Sequence, residues 1–166
     1  MSIVLIGGGS RSGKSSHALA LARQVGERRG FLATAQAFDD EMRERIAQHR
    51  KERGPDFVTI EEPLDLAPVI LAQQEALDVL VIDCLTLWLS NVMLGGQEPR
   101  FDPLIEVAAE SPMQCILVTN EVGCGIVPDN ALARRFRDLA GILNQKAAAR
   151  ASAVYWMVFG VPLRVK

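Results

Sequence analysis

Residues 3–22 combine a short apolar segment, a glycine-rich turn and a helical segment, in that order. The apolar segment reads Ile-Val-Leu-Ile, and the turn after it, 7–16, reads Gly-Gly-Gly-Ser-Arg-Ser-Gly-Lys-Ser-Ser. This turn matches the pattern G-x-x-x-x-G-K-S/T in full, and the alanine- and leucine-rich residues after it predict a helix. A buried strand, a glycine-rich loop and a helix in succession form a phosphate-binding unit of α/β proteins. The sequence therefore predicts a nucleoside triphosphate site here.

The residue types of this loop each have a chemical reason. Glycines let the backbone curl until successive N–H groups point at phosphate oxygens, and the helix N-terminus adds partial positive charge. Lys14 can reach the β- and γ-phosphates, and the Ser15 hydroxyl is placed to bind Mg²⁺. An ordinary glycine-rich turn is the alternative, and the complete match between a strand and a helix disfavours it.

Composition and charge narrow the class of protein. A length of 166 residues predicts one domain, which we expect to span 1–166. The net charge of −2 predicts no nucleic-acid partner. We expect no membrane span, because no apolar run approaches about 18 residues, and no signal peptide precedes the first strand. Scattered cysteines, at 84, 115 and 124, predict reduced thiols in a cytoplasmic protein.

Strand-like and helix-like segments alternate along most of the chain. Further strands are predicted at 31–34, 57–60, 79–82, 115–118 and 154–159, with a short edge strand within 160–165. Helices are predicted at 40–53, 85–94 and 131–151. Several strands are almost continuously apolar, as in a parallel sheet that is covered on both faces. The pattern predicts a three-layer α/β fold, with a mostly parallel sheet between helices and an edge strand at its C-terminal end.

A carboxylate ends the apolar strand at 79–82. Asp83 follows this strand directly, which is the form of a Walker B element. The carboxyl ends of parallel strands face the ligand crevice of an open α/β sheet, so Asp83 would lie near Ser15. We predict that the two side chains share Mg²⁺. The alternative is an aspartate that only caps a turn.

The helix predicted at 40–53 begins with acidic residues and ends with basic ones, as the helix dipole favours. One stripe of it carries residues at i, i+4, i+7 and i+11: Met42, Ile46, His49 and Arg53. His49 is therefore expected to face inward on an otherwise apolar face, or across the nucleotide crevice. The residues alone favour a histidine satisfied at a helix end over a nucleophile that attacks phosphate. His17, in the helix after the glycine-rich loop, is expected to pack.

A loop at 120–128 follows the strand predicted at 115–118 and again lies on the crevice side. Its two glycines and proline shape it around Asn120 and Glu121. The helix beyond it is predicted to bury a stripe of four residues, Leu132, Phe136, Leu139 and Leu143. Gly141 lies on the opposite stripe, where it weakens a helix by roughly 1 kcal/mol. Close approach of a ligand or a second subunit would explain it.

These segments occur in an order that is typical of one family. They read GGGSRSGKSSHA, FLATA, DDEMRERIAQHR, VIDCLTLWLSN, TNEVGCGIVP, ARRFRDLAGILNQ and FGVPL. In this order they resemble the adenosylcobinamide kinase/adenosylcobinamide-phosphate guanylyltransferase family (CobU type), over nearly the whole chain. The sequence departs from some relatives in a short segment between residues 94 and 111 and in an aspartate, Asp83, where they have glutamate.

The resemblance implies a bifunctional enzyme of the cobalamin pathway with a RecA-like P-loop NTPase fold and a homotrimeric assembly. Its substrates would be adenosylcobinamide, ATP and GTP, with Mg²⁺ as cofactor. The resemblance makes His49 the nucleophile that carries GMP, and Lys14 the other catalytic residue. It also implies a set of nucleotide-binding residues: Gly7, Gly8, Gly9, Ser10, Arg11, Ser12, Gly13, Lys14, Ser15, Ala33, Thr34, Ala35, Arg50, Lys51, Glu52, Arg53, Glu61 and Asp83.

Two other functions use the same phosphate-binding loop. A small-molecule kinase without guanylyltransferase activity would need Lys14, Ser15 and Asp83 and would leave His49 idle. A regulatory GTPase is disfavoured because the chain lacks an Asn-Lys-x-Asp element that reads the base: Asn120 is followed by Glu121 and Val122.

Overall fold

The computed structural model describes residues 3–37 and 40–166, with the backbone alone at 41, 45 and 52. Strands and helices alternate within these ranges. In chain order they are β1 (Ile3–Gly8), α1 (Lys14–Val25), β2 (Arg29–Ala33), α2 (Asp40–Arg53), β3 (Val58–Glu61), α3 (Leu66–Gln73), β4 (Val79–Asp83), α4 (Leu85–Leu94), α5 (Phe101–Glu110), β5 (Gln114–Val118), α6 (Ala131–Arg150), β6 (Ala151–Val158) and β7 (Val161–Arg164). None of the helices within these ranges has the length and apolar character needed to cross a membrane.

The strands form one sheet in the order β3-β2-β4-β5-β1-β6-β7. Each neighbouring pair is parallel except β6 and β7, which form an antiparallel hairpin. β1 is therefore an interior strand, with β5 on one side and β6 on the other, and the glycine-rich loop follows its end. β4, which ends at Asp83, lies next to β5 on the side away from β1.

Helices cover both faces of the sheet because the strands are apolar on both sides. In β4, Leu80 and Ile82 belong to a core shared with α3, α4, α5 and α6. Val79 and Val81 belong to a second core, against α1. All four side chains are fully buried. This alternation produces the predicted three layers.

The predicted helices and strands agree with the structure except at their ends, most clearly at β6, which begins at Ala151 and not at residue 154, and two helices were missed. In α3 the residues are apolar on all sides, so no helical stripe stands out. In α5, Pro103 lies in the first turn, where proline is tolerated. The stripe of Phe101, Leu104, Ile105 and Ala108 was nevertheless a readable helical signal. The hairpin strand β6 ends at Val158, so Phe159 lies in the turn and not in the strand.

The stripe predicted on α6 is wrong at Leu132, which is 54% exposed. The residues that α6 buries are Ala140, Leu143 and Ala147, while Phe136 and Leu139 are half-buried against the same core. A helix of 20 residues is about 30 Å long, whereas β1 has six residues and spans about 20 Å. The first turn of α6 therefore lies beyond the sheet.

Candidate nucleotide-binding and catalytic site

Two glycines shape the loop between β1 and α1. Gly8 has φ +151° and Gly13, at the N-cap of α1, has φ +92°. A Cβ on Gly8 would lie 2.8 Å from Ser12 Oγ and 3.0 Å from the carbonyl oxygen of Met157. Glycine is therefore required at position 8 for both backbone conformation and space. The loop leads directly into α1, whose first N–H groups are available to anionic oxygens.

Lys14 is the first residue of α1 and is buried. Its Nζ donates hydrogen bonds to the carbonyl oxygen of Gly9 at 2.5 Å and to Ser12 Oγ at 3.4 Å. Burial lowers the pKa of Lys14, while the nearby charges of Asp83 and Cys84 act in the opposite direction. The ammonium is thus held against the backbone of the loop that is predicted to bind phosphate.

Ser15 and Asp83 meet across the crevice as the two motifs predict. The Ser15 hydroxyl donates to Asp83 Oδ2 at 2.5 Å. Burial raises the pKa of Asp83, and the Ser15 hydrogen bond and the charges of His49, Lys14 and Arg53 oppose this shift. A hydroxyl and a carboxylate oxygen are the ligands that Mg²⁺ takes beside nucleotide phosphates, and a cation here would offset the cost of the buried charge.

The end of β2 brings Ala33 between two predicted site residues. Ala33 pairs with Asp83 of β4 on one side and with Glu61 of β3 on the other. Thr34, the next residue, is fully buried, and its Oγ1 accepts the N–H of Cys84 at 2.8 Å and donates to the Cys84 carbonyl at 2.9 Å. The Thr34 hydroxyl therefore holds the backbone that follows Asp83. Ala35 is half-buried beside it.

The C-terminal end of α2 carries the basic residues that are predicted to belong to the site. Arg50 is half-exposed and forms an ion pair with Glu61 of β3. Arg53 is buried, with its guanidinium 4.1 Å from the centroid of the Phe31 ring, and burial lowers its pKa. Lys51 is exposed, and the side chain of Glu52 lies outside the described residues. Arg53 therefore anchors the end of α2 to β2.

His49 is exposed, so the expectation that it faces inward on an apolar face is wrong. The alternative expectation, a position across the crevice, agrees with its charge interaction with Asp83. The other histidine, His17, packs edge-on against Tyr155 with 5.0 Å between ring centroids. Its buried Nε2 has no hydrogen-bond partner among the described residues, and burial lowers its pKa. His17 is thus a neutral packing residue.

The loop after β5 lies between the phosphate-binding loop and Asp83, because β5 lies between β1 and β4. The Glu121 N–H donates to the carbonyl oxygen of Gly8 at 3.1 Å. Thr86 Oγ1 accepts the N–H of Asn120 at 2.7 Å, and Arg137 donates to the Gly123 carbonyl at 2.8 Å. These bonds fix the irregular loop at the crevice.

Sequence reasoning missed the hairpin of β6 and β7 as a wall of the site. The Cα of Gly160, in the hairpin turn, lies 3.3 Å from the position of a Cβ built on Gly13. The readable signal was Gly160 between two apolar segments, because glycine is a strong turn signal.

The fold and the site together define an α/β nucleotide-binding enzyme of the P-loop NTPase class, with the expected RecA-like arrangement. The assembled ATPase EscN of the enteropathogenic Escherichia coli type III secretion system shares this fold, with a TM-score of 0.58. At 14% sequence identity, the match covers 95% of this chain and 43% of the ATPase. The chain belongs to the family described as cobinamide kinase / cobinamide phosphate guanyltransferase, whose model matches residues 4–165.

Two curated relatives are similar over almost their full lengths. The bifunctional adenosylcobalamin biosynthesis protein CobP of Pseudomonas aeruginosa is 46% identical over 166 residues, which cover 98% of this chain and 96% of that protein. The bifunctional adenosylcobalamin biosynthesis protein CobU of Salmonella typhimurium is 38% identical over 184 aligned residues, 99% of each chain. The family resemblance drawn from the motifs is confirmed, and a kinase without the second activity is not favoured.

Proposed function

We propose that this chain phosphorylates adenosylcobinamide with a nucleoside triphosphate and then transfers GMP from GTP to the new phosphate, forming adenosylcobinamide-GDP. The observation that carries the proposal is one crevice shared by Lys14, Ser15 and Asp83, with His49 of α2 near enough to interact electrostatically with Asp83. The first three side chains suit phosphoryl transfer. The imidazole adds a nucleophile that a simple kinase does not need.

In the kinase step, we propose that the substrate hydroxyl attacks the γ-phosphorus of ATP or GTP. The buried Lys14 ammonium neutralises charge that develops on the transferred group. Ser15 and Asp83 would hold Mg²⁺, which when bound supplies further neutralisation of the β- and γ-phosphates. The other loop residues, from Gly7 to Gly13, would offer their N–H groups to the phosphates.

In the transfer step, we propose that a nitrogen of His49 attacks the α-phosphorus of GTP. A P–N bond forms, the bond to the bridging oxygen breaks, and pyrophosphate leaves. The substrate phosphate then attacks the same phosphorus and releases His49. Arg50 and Arg53, with Lys51 between them, place positive charge beside the reacting phosphate, and Glu61 pairs with Arg50 where the guanosine would bind.

The remaining proposals concern assembly and location. We propose that 1–166 form a single catalytic domain, that the enzyme works as a homotrimer and that it acts in the cytoplasm. All three cysteines are free thiols, which suits a reducing compartment. A Cβ built on Gly141 of α6 would have open space around it, so a second subunit has room to approach there. Sedimentation velocity of the purified protein tests the assembly.

Labelled GTP tests the central proposal. After incubation with GTP labelled at the α-phosphorus, denatured protein should retain acid-labile label, because a P–N bond is cleaved by acid. GTP labelled at the γ-phosphorus should leave none. A protein that phosphorylates adenosylcobinamide and retains no α-label would be a simple kinase. Retention of γ-label alone would indicate a phosphoenzyme and contradict the proposed mechanism.

A further inference from the structure

The turn between β6 and β7 consists of Phe159 and Gly160. Val158 pairs with Val161, so the connection has two residues, and their φ values are +51° and +83°. Two positive φ values in a two-residue turn are typical of type I′, which prefers asparagine before glycine. A bulky aromatic residue is unfavourable in this conformation. Phe159 is therefore a poor choice for the turn itself.

The same turn touches the phosphate-binding loop. Met157 pairs with Gly8, and the Cα of Gly160 lies 3.3 Å from a Cβ built on Gly13. Phe159 is 99% exposed, so its ring contacts almost nothing in the protein. The hairpin thus presents a free aromatic ring at the wall of the site.

The sheet order indicates which part of a bound nucleotide would lie on that side. Ser15 and Asp83 mark the position of the β- and γ-phosphates, and β4 lies on one side of β1. The hairpin of β6 and β7 lies on the other side of β1. A triphosphate with its γ-phosphate beside Asp83 extends its nucleoside away from β4, and therefore towards Phe159.

We propose that Phe159 stacks on the purine base of the nucleoside triphosphate that donates the γ-phosphate. This assignment rests on the kinase step proposed above. The base of GTP in the transfer step lies instead beside Arg50 and Glu61, because His49 must reach the α-phosphorus from the α2 side. The two reactions thus hold the base on opposite sides of the phosphate-binding loop. An aromatic face accepts either purine, so ATP and GTP depend on Phe159 equally.

Phe159→Asn removes the ring and installs the preferred Asn-Gly turn, so the variant is expected to fold at least as well as the parent chain. Calorimetry with the β,γ-imido analogue of ATP measures binding without any acceptor, whereas the GTP analogue keeps the α–β bridge that His49 is proposed to attack. We expect the dissociation constant of the ATP analogue to rise about tenfold, in line with the loss of one base–aromatic stack. Phe159→Tyr should bind like the parent. Leu163→Ala, which removes an exposed apolar side chain from β7, is the matched control and should also bind like the parent.

A second measurement separates the two steps. The concentration of α-labelled GTP that half-saturates labelling of His49 should change less than twofold in Phe159→Asn. An unchanged affinity for the ATP analogue, or an equal loss in Phe159→Asn and Leu163→Ala, would overturn the assignment. A tenfold rise in the GTP concentration that half-saturates labelling would place the base at Phe159 in both steps. This result would also overturn the assignment. If the parent protein binds the ATP analogue through Phe159 but phosphorylates no cobinamide, the proposed function fails while the stacking contact stands.

Discussion

The two sides of the proposed site are built differently. The phosphate-binding loop follows β1, an interior strand of the sheet. Ile6 of this strand is fully buried, and Lys14, directly after the loop, is only 8% exposed. Among the α2 side chains that the structure describes, Arg53 alone is buried, while His49 and Arg50 are exposed. Arg23 of α1 also holds this helix end, because it donates to the Arg53 carbonyl at 2.9 Å.

This difference in burial separates groups that the fold holds in place from groups that are exposed to solvent. The sheet core positions Lys14, Ser15 and Asp83, the groups proposed to neutralise phosphate charge, and such preorganisation needs no rearrangement during reaction. The proposed nucleophile is an exposed residue of α2, whose C-terminal end is held by contacts with Phe31 and Arg23. Changes at the loop should therefore affect phosphoryl transfer most, and changes on α2 should affect guanylyl transfer selectively.

The largest expected effect is that of His49→Ala. Covalent label from α-labelled GTP should disappear, because the attacking nitrogen is lost, while the kinase rate stays within about threefold of the parent, since Lys14, Ser15 and Asp83 remain. Autoradiography of denatured protein and a kinase assay with adenosylcobinamide measure the two effects. His17→Gln is the control and should retain the label. If the His49→Ala variant still retained the label, α2 would not supply the nucleophile.

Lys14→Ala should lower kinase turnover by roughly 10²–10³-fold, the usual loss for one preorganised charge-stabilising group. Covalent labelling of the protein by α-labelled GTP should fall by a smaller factor, because Lys14 is assigned to the γ-phosphate. Steady-state kinetics with saturating adenosylcobinamide checks the first effect. Lys146→Ala, which removes an exposed lysine of α6 that pairs with Asp102 of α5, is the control. Turnover within a few-fold of the parent would exclude Lys14 from the mechanism.

Asp83→Asn should lower kinase activity by roughly tenfold at limiting Mg²⁺, equivalent to about 1.4 kcal/mol of lost binding. Raising the Mg²⁺ concentration should recover part of the activity, because the Ser15 oxygen and the nucleotide phosphates remain as ligands. Mg²⁺ titrations of the initial rate provide the measurement. Activity that no Mg²⁺ concentration improves would contradict a purely metal-binding role.

The same variant should be more stable than the parent at neutral pH. Burial raises the pKa of Asp83 above the ordinary 3.8, so the folded chain binds this proton more tightly than the unfolded chain. The stability contributed by the protonated carboxyl is full below pH 3.8 and is lost as pH rises through the folded-state pKa. The thermal midpoint of Asp83→Asn should therefore exceed that of the parent at pH 7, with a gap that narrows towards pH 4. A lower midpoint at pH 7 would show that the cations around Asp83 outweigh its burial.

The smallest expected effect is that of Arg50→Ala on stability. The Arg50–Glu61 pair is about half-exposed on both sides, so its loss should cost less than about 1 kcal/mol in the free energy of unfolding. Urea denaturation measures this cost. Labelling by α-labelled GTP should nevertheless weaken in this variant. Arg50 would then act on the nucleotide and contribute little to the stability of the fold. A large loss of stability would instead make Arg50 an anchor of α2, like Arg53.

The sequence by itself determined the parts of this protein that depend on local pattern. The loop between β1 and α1, the Ser15–Asp83 contact, the alternating elements and the family could all be predicted. A phosphate-binding loop is encoded in consecutive residues, and apolar strands of a covered sheet stand out by composition alone. The missed helix α3 is apolar on every side and carries no such period.

Only the tertiary structure decided which distant segments share the crevice. The exposure of Leu132 follows from the length of α6 beyond the sheet, and the burial of Arg53 follows from its contact with Phe31. The contact between Gly160 and Gly13 depends on the pairing of β6 with β1. Strand order is set by long-range packing, which no local period records, so the hairpin beside the phosphate-binding loop became visible only in the assembled sheet.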